Sequence, residues 1–171
     1  PAAVPAAREL VGEVTSKGVE LDISTRPVKG FVLLAGYSYN DTRYTKSNSS
    51  NSSVRSGDRL RYNPSHTANA SLYYSFKGTS VLNGFYLGIA GFYAGDRLAG
   101  RNATTTNPGY KLMALPDYLL ADLYAGYARG KYAMRLKLSN LLNKLSYNVH
   151  DDNSVNPIAP RQVSATVSYK F

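Results

Sequence analysis

The stretch Arg161 to Phe171, R-Q-V-S-A-T-V-S-Y-K-F, decides the fold because apolar and polar residues alternate along it. Successive side chains of a strand point to opposite faces, so this pattern predicts a strand with one apolar and one wet face. A soluble domain seldom ends in an exposed strand with a bare aromatic residue, because strand edges invite aggregation. A closed barrel removes that edge and turns the apolar face toward lipid. The stretch therefore predicts the closing strand of a transmembrane β-barrel.

The composition excludes several classes of protein. The chain has 171 residues, enough for one domain, and no Cys, which excludes a disulfide scaffold and a thiolate metal site. No apolar run approaches the roughly 18 residues of a spanning helix, which excludes a helical membrane protein but leaves a barrel open. Fifteen Tyr and no Trp favour aromatic girdles at the membrane–water boundary. The alternative is that Tyr is simply a good strand former.

The net charge of +9 is spread over predicted loops and wet strand faces. Because no basic cluster, recognition helix or known nucleic-acid motif accompanies it, we do not expect nucleic-acid binding. The scattered positive potential fits an anionic ligand or a lipopolysaccharide leaflet about as well as no partner at all.

The same alternation predicts six further strands before the closing one, at residues 12–26, 31–46, 66–77, 85–97, 117–128 and 132–139. We expect their apolar phase to face lipid. Its members are Val19, Leu21, Ile23, Phe31, Leu33, Ala35, Tyr37, Tyr39, Ala68, Ala70, Leu72, Tyr74, Phe76, Phe85, Leu87, Ile89, Tyr93, Leu119, Ala121, Leu123, Ala125, Tyr127, Tyr132, Met134, Leu136 and Leu138.

The connections between these strands run short, long, short, long, short, long. Outer-membrane barrels have this rhythm, with brief periplasmic turns and extended extracellular loops. The long loops are residues 47–65, 98–116 and 140–160, and we expect the Ser/Asn-rich run of the first to be mobile.

Seven strands are an odd number, whereas single-chain bacterial barrels have an even one. Residues 1–10 contain Pro1 and Pro5 and make a poor eighth strand. They also lack the basic end and apolar core of a signal peptide. We therefore expect the chain to be the C-terminal piece of a longer polypeptide and part of a larger wall.

Several motifs, taken in order, resemble those of one family. The segment G-E-V-T-S-K-G-V-E at 12–20 resembles the G-E-x-x-S-x-G-x-E strand of TonB-dependent outer-membrane receptors, chiefly the ferric-siderophore class. Six later segments resemble the elements that follow in this family: A-G-Y-S-Y at 35–39, G-D-R-L at 57–60, P-S-H-T-A at 64–68, N-L-L-N-K at 140–144 with Tyr147, A-P-R at 159–161 and the terminal V-S-Y-K-F. Leu142 departs from the usual Phe, and Ile158 stands where Gly often precedes A-P-R.

The resemblance implies an all-β, antiparallel transmembrane barrel of twenty-two strands, filled by an N-terminal plug that carries a TonB box. Residues 1–171 would supply about the last seven strands, without the plug and the TonB box. The implied function is TonB-energised uptake of a ferric siderophore across the outer membrane of a Gram-negative bacterium. Implied partners are the siderophore, TonB through the missing N-terminal region, outer-membrane lipid and lipopolysaccharide, and the barrel-assembly machinery. The implied assembly signal is Val163, Ala165, Val167, Tyr169 and Phe171.

The sequence gives no sign of catalysis, because no nucleophile–base pairing and no Gly-rich phosphate cradle stands out. We therefore expect neither an enzyme nor a cofactor, with the ferric siderophore as transported ligand. The run His150-Asp151-Asp152 has nitrogen and oxygen ligands for a metal, but a solvated loop is the simpler interpretation, and no metal site is predicted.

Binding is the better hypothesis, because sites for anionic or polar chelates combine Arg charge with aromatic faces. The long loops hold nine such candidates: Arg55, Arg59, Arg61, Tyr62, Arg97, Arg101, Tyr110, Tyr147 and His150. The alternative is that these side chains only solvate loops or bind lipopolysaccharide phosphates.

Two other interpretations of the whole chain stay open at this point. The first is a small complete outer-membrane barrel of structural or adhesive role, with residues 1–10 as an eighth strand. The second is a soluble all-β binding domain. The soluble domain requires the apolar faces to pack on one another, whereas both barrels require them to be turned outward.

Overall fold

The structure is a computed structural model that describes residues 12–26, 28–47, 53–78, 81–149 and 154–171. Its strands, in chain order, are β1 Gly12–Ser24, β2 Phe31–Ser47, β3 His66–Ser75, β4 Phe85–Gly95, β5 Arg97–Gly100, β6 Leu112–Leu115, β7 Tyr118–Arg129, β8 Tyr132–Ser139, β9 Tyr147–Val149, β10 Val155–Pro157 and β11 Gln162–Tyr169. The described residues contain no helix that is long and apolar enough to cross a membrane.

The seven longest strands form one antiparallel sheet in the order β1-β2-β3-β4-β7-β8-β11. These are the seven strands that the sequence predicts. The boundaries differ from the predicted ones by at most two residues; β4, for example, ends at Gly95 because Asp96 has a φ of +53° and breaks the extended backbone. The second and third long loops each contain a short antiparallel pair that the sequence does not predict: β5 with β6, and β9 with β10.

The residues of the predicted apolar phase form one continuous face of the sheet, because in each strand pair they lie opposite one another. One central row runs across six strands and consists of Leu33, Leu72, Ile89, Leu123, Leu138 and Val163. Directly paired residues of antiparallel strands lie on the same side of a sheet. This side is uncovered: Val163 and Val167 are 76% and 72% exposed. The soluble-domain interpretation is therefore not favoured, since it requires these side chains to pack on one another.

The opposite, polar face is organised by tyrosine rings that lie over glycines of the neighbouring strand. The ring of Tyr73 lies over Gly88, and that of Tyr86 over Gly126, so closely that an added Cβ would overlap each ring. This face also carries an ion pair of 2.8 Å between Lys137 and Asp122. The glycines therefore make room for large side chains on an otherwise small-residue surface.

The alternation of short and long connections is confirmed. In the turn between β1 and β2, Val28 and Phe31 exchange both backbone hydrogen bonds, at 2.9 and 3.0 Å. The two residues between them, Lys29 and Gly30, have φ angles of +49° and +91°, as in the primed turns that match the twist of a hairpin. All three long loops lie at the opposite end of the sheet. The Ser/Asn-rich run at 48–52, which we expected to be mobile, lies outside the described residues.

The sheet of the described residues is open, with β1 and β11 at its edges. The all-β antiparallel fold is thus confirmed, while the count of twenty-two strands stays a prediction. Residues 1–10, the eighth strand of the small-barrel interpretation, lie outside the described residues. The buried apolar side chains of the described residues are Ala94, Ala99 and Tyr118, all at the end of the sheet that carries the long loops.

Candidate functional site

The three long loops pack against one another, and we name them loop A (48–65, described from 53), loop B (96–117) and loop C (140–161, described except 150–153). Loop A folds back along the end of β2. The amide of Tyr44 donates to the carbonyl of Asp58 at 2.9 Å, and the amide of Leu60 donates to that of Thr42 at 2.8 Å. These bonds continue the pairing of β2 beyond Tyr39, the last of its residues that pairs with β3.

A two-point ion pair, the Arg59–Asp96 clasp, joins loop A to loop B. Arg59 Nη1 donates to Asp96 Oδ1 at 2.9 Å, and Nη2 donates to Oδ2 at 2.8 Å. Arg59 also contacts the hydroxyl of Ser65. Asp96 has its positive φ held by its own amide, which donates to the carboxylate of Asp117 at 2.9 Å. Bidentate contacts of this kind fix orientation as well as distance.

The clasp predicts an acid-dependent opening of the two loops. The hydrogen bond from Arg59 lowers the pKa of the Asp96 carboxyl from its ordinary value of 3.8. A carboxyl whose pKa is lower in the folded than in the unfolded state stabilises the fold at pH values above its unfolded pKa. That stabilisation is lost as the pH falls through the folded pKa. We expect the amides of loop A to be protected from hydrogen exchange at pH 5–7 and to lose protection below about pH 4, after correction for the intrinsic exchange rate.

The matched control for this prediction is Asp96→Asn, which keeps the shape of the side chain but removes its titration. We expect this variant to show the faster exchange already at pH 7, with no further step on acidification. An identical acid midpoint in the variant and the parent protein would assign the opening to another group.

Two further arginines tie loop A to loop B. Arg61 Nη1 donates to the carbonyl of Gly100 at 2.8 Å, and Arg55 Nη2 donates to that of Ala103 at 3.0 Å. The two loops therefore form one unit along their length.

Arg97 joins loop B to loop C. Its side chain is 5% exposed, and its Nη1 donates to the carbonyl of Tyr147 at 3.0 Å. Its Nη2 donates to the carbonyl of Pro116 at 2.6 Å, and the guanidinium lies 4.7 Å from the ring centre of Tyr118.

The N-L-L-N-K motif closes the base of loop C. Asn140 has a φ of +49° and is 4% exposed. Its side-chain amide donates to the carbonyls of Lys144 and Ala159, at 3.0 and 2.9 Å, and accepts from the amide of Lys144 at 2.8 Å. Asn143 accepts from the amide of Arg161 at 3.0 Å. The motif thus joins the two ends of the loop.

The three loops together enclose an outer cleft of about 570 Å³. Its polar and aromatic side chains are Tyr62, Arg101, Tyr110 and Lys111, and its other lining residues are Ala99, Gly100, Gly109, Met113, Leu115, Val149 and Val155. Cations beside aromatic rings attract anionic and polar groups, while an apolar floor accepts hydrocarbon. The cleft can therefore hold an amphipathic chelate.

The structure divides eight of the nine predicted ligand residues into two groups. Tyr62, Arg101 and Tyr110 line the outer cleft. Hydrogen bonds between loops engage Arg55, Arg59, Arg61 and Arg97, and Tyr147 supplies a carbonyl to Arg97. His150 lies outside the described residues. Ligand contact by any of the nine stays a prediction.

Sequence reasoning missed Lys111 and the valines of the outer cleft. A signal for Lys111 was present, since it directly follows Tyr110 in a predicted long loop. No such signal marked Val149 and Val155, whose position depends on the pairing of β9 with β10.

No group of three or more His, Asp or Glu side chains within the described part of the chain is arranged to hold a metal ion. The run His150-Asp151-Asp152 falls within residues 150–153, which lie outside the described part of the chain.

The model of the TonB dependent receptor-like β-barrel family matches residues 4–169. The chain belongs to the TonB-dependent receptor family. The predicted resemblance is thereby confirmed, and so is the predicted location, because TonB-dependent receptors are outer-membrane β-barrel proteins of Gram-negative bacteria.

Two curated relatives are receptors. The ferrioxamine B receptor of Salmonella typhimurium (strain LT2) is 33% identical over 139 residues, which cover 78% of this chain and 18% of that protein. The metal-pseudopaline receptor CntO of Pseudomonas aeruginosa (strain UCBPP-PA14) is 26% identical over 169 residues, which cover 98% of this chain and 22% of that protein. The chain thus spans about a fifth of the length of these relatives. Both are receptors, which does not favour a structural or adhesive role.

Two solved receptor structures share the fold. The pyoverdine outer-membrane receptor FpvA of Pseudomonas aeruginosa PAO1 matches with a TM-score of 0.74 and 21% identity, over 94% of this chain and 22% of that chain. The ferric-catecholate import receptor Fiu of E. coli K12 matches with a TM-score of 0.69 and 17% identity, over 94% of this chain and 21% of that chain. The open sheet is therefore similar to part of a barrel wall.

Proposed function

We propose that this chain is the C-terminal part of the barrel of a receptor that takes up a ferric siderophore across the outer membrane. Energy would be supplied through TonB, which contacts the N-terminal region of the whole protein. The observation that carries the proposal is the 33% identity to the ferrioxamine B receptor over 78% of the chain. The ferric siderophore is cargo, and the proposal requires neither a resident cofactor nor enzymatic activity.

The architecture supports a place for the sheet in a larger wall. Both edges, β1 and β11, carry backbone groups that need strand partners, since unpaired groups in hydrocarbon each cost several kcal/mol. We propose that residues 1–171 supply the last seven strands of a twenty-two-stranded barrel around a plug. The polar face would line the lumen, and the apolar face would meet outer-membrane lipid below the lipopolysaccharide headgroups.

The closing strand fits the proposed role of an assembly signal. Four of its residues, Val163, Ala165, Val167 and Tyr169, belong to the apolar phase that the paired register defines, and Phe171 continues the alternation of the sequence. The ring of Tyr169 lies 5.0 Å from that of Tyr132 and 5.2 Å from that of Phe171, which is fully exposed. An exposed terminal aromatic side chain is available to the barrel-assembly machinery.

The outer cleft is the part of this chain that we assign to the ligand. We propose that its loops lie outside the cell and that Arg101 and Lys111 attract the polar or anionic part of the chelate. The rings of Tyr62 and Tyr110 and the side chains of Met113 and Val149 would contact its hydrocarbon part.

The proposal is tested by deleting the full-length gene in the source bacterium and supplying defined siderophores under iron limitation. Uptake of radioactive iron from at least one hydroxamate, catecholate or carboxylate chelate should fall tenfold or more, and complementation should restore it. A protonophore should abolish the same uptake in the parent strain. Unchanged uptake of every chelate, together with no binding by the purified receptor, would contradict the proposal.

A further inference from the structure

Two strand pairs form the facing walls of the outer cleft: β5 with β6 in loop B, and β9 with β10 in loop C. We propose that Arg97 is a positioning residue that holds these two walls in the arrangement that binds the ligand. The inference rests on the proposed function, because it assigns a role within the same site. It concerns a side chain that does not line the cleft but lies behind it.

Arg97 is the point at which the two walls meet. It opens β5, which pairs with β6, and this hairpin carries the cleft residues Met113 and Leu115. Its Nη1 donates to the carbonyl of Tyr147, which opens β9, and the pair of β9 with β10 carries the facing residues of loop C. One guanidinium therefore fixes the base of one wall against the base of the other.

The second hydrogen bond and the packing determine the direction of the guanidinium. Nη2 donates to the carbonyl of Pro116, 2.6 Å away, so the side chain also closes the base of loop B on itself. The ring of Tyr118, which is 8% exposed, lies 4.7 Å from the guanidinium carbon. A planar group held by two charge-assisted bonds and an aromatic face has one orientation.

The burial of Arg97 is costly and argues against an incidental contact. A buried charge needs compensation, and its Nε has no hydrogen-bond partner among the residues that the structure describes. The two carbonyl bonds and the contact with Tyr118 must offset that cost. The chain thus places a cation inside the loop assembly where its two Nη groups join separate backbone segments.

Neither of the nearest substitutes can reproduce this geometry. A Lys at position 97 keeps the charge but offers a single point of attachment instead of a planar fork. A Gln is shorter and neutral. We expect both Arg97→Lys and Arg97→Gln to release the contact with Tyr147 and to allow the two walls to move apart.

The experiment uses the full-length receptor, since a part of the barrel is not expected to fold alone. Spin labels are placed on cysteines introduced at Lys111 and Asn156, which are exposed positions on the two walls. Residues 1–171 contain no native Cys, and any Cys elsewhere in the full-length receptor is first replaced with Ser. Double electron–electron resonance without ligand should give a narrow distance distribution in the parent receptor and a broad one in both Arg97 variants. In the unlabelled receptors, the Kd for the ferric siderophore that the uptake assay selects should rise about tenfold, mainly through faster dissociation.

The control variant is Arg43→Gln, which also removes an arginine bond to a loop carbonyl, that of Gly57, but lies on β2 away from both walls. It should change neither the distance distribution nor the Kd. Heat-modifiable migration on a denaturing gel verifies that each variant is folded, and the Lys variant remains informative if the Gln variant does not assemble.

The outcomes separate the two proposals. A broadened distribution with a raised Kd supports the positioning role. An unchanged distribution overturns it, and a raised Kd in that case would make Arg97 a ligand contact. If the parent receptor binds no ferric chelate while the distribution still broadens, the proposed function fails and the role of Arg97 in holding the two loops stands.

Discussion

Replacing Ile89 with Lys is expected to remove most of the folded receptor from the outer membrane. Ile89 lies in the central row of the apolar face, between Leu72 and Leu123, and is 45% exposed. A Lys on the lipid face near the middle of the bilayer costs about 2–4 kcal/mol. The neighbours of Ile89 in this row are apolar, so no ion pair would offset the cost of the introduced charge.

The matched control is Ala90→Lys, one residue further along the same strand. Ala90 is paired with Asp122 and lies on the polar face, where a cation can be hydrated or paired. We expect its effect to be below about 1 kcal/mol, because that face is not desolvated by lipid. Urea titration of the full-length receptor folded into lipid bilayers measures both variants. Equal losses for the two would mean that the two faces are not divided between lipid and lumen.

The second large effect is expected for Asn140→Ala, which should loosen loop C and destabilise the receptor by roughly 3 kcal/mol. The substitution leaves two carbonyls and one amide without the partner that the Asn140 side chain provides at 2.8–3.0 Å. It also places an Ala at a φ of +49°, a region that Asn tolerates better than other non-Gly residues. Hydrogen exchange of loop C and thermal unfolding of the receptor measure the change.

Two further variants separate the causes. Asn140→Gly removes the hydrogen bonds but relieves the backbone strain, so it should recover about 1 kcal/mol of the loss. Asn143→Ala is the matched control: Asn143 has the same φ of +49° but a single described side-chain bond, to the amide of Arg161, and is exposed. A loss for Asn143→Ala as large as that for Asn140→Ala would show that strain, not the buried amide, governs the motif.

The regular strands were predictable because their signal is local. Alternation in the segments around Leu33, Leu72 and Leu123 gave seven strands and one apolar phase, and the pairing confirmed both. The first short connection was also predicted, and the structure forms it at Lys29 and Gly30 with two consecutive positive φ angles.

For the loops, the sequence predicted which residue types they contain but not which residues contact one another. The sequence marked Arg59, Arg61 and Arg97 as cations suited to a ligand, but it contained nothing that would pair Arg59 with Asp96, 37 residues away. Segments of three or four residues, such as β9 and β10, are too short for a periodic pattern. The site of Lys111 and Tyr110 therefore emerged only when the loops were placed together.

The sequence by itself determined that this chain forms antiparallel strands with one apolar and one polar face. The reason is that the face on which a side chain lies follows from its position in its own strand. Only the tertiary structure decided which arginines join loops and which residues line the outer cleft. The physical reason is that those contacts join residues far apart in the chain, and their partners are mostly backbone carbonyls, which carry no residue identity for a sequence to display.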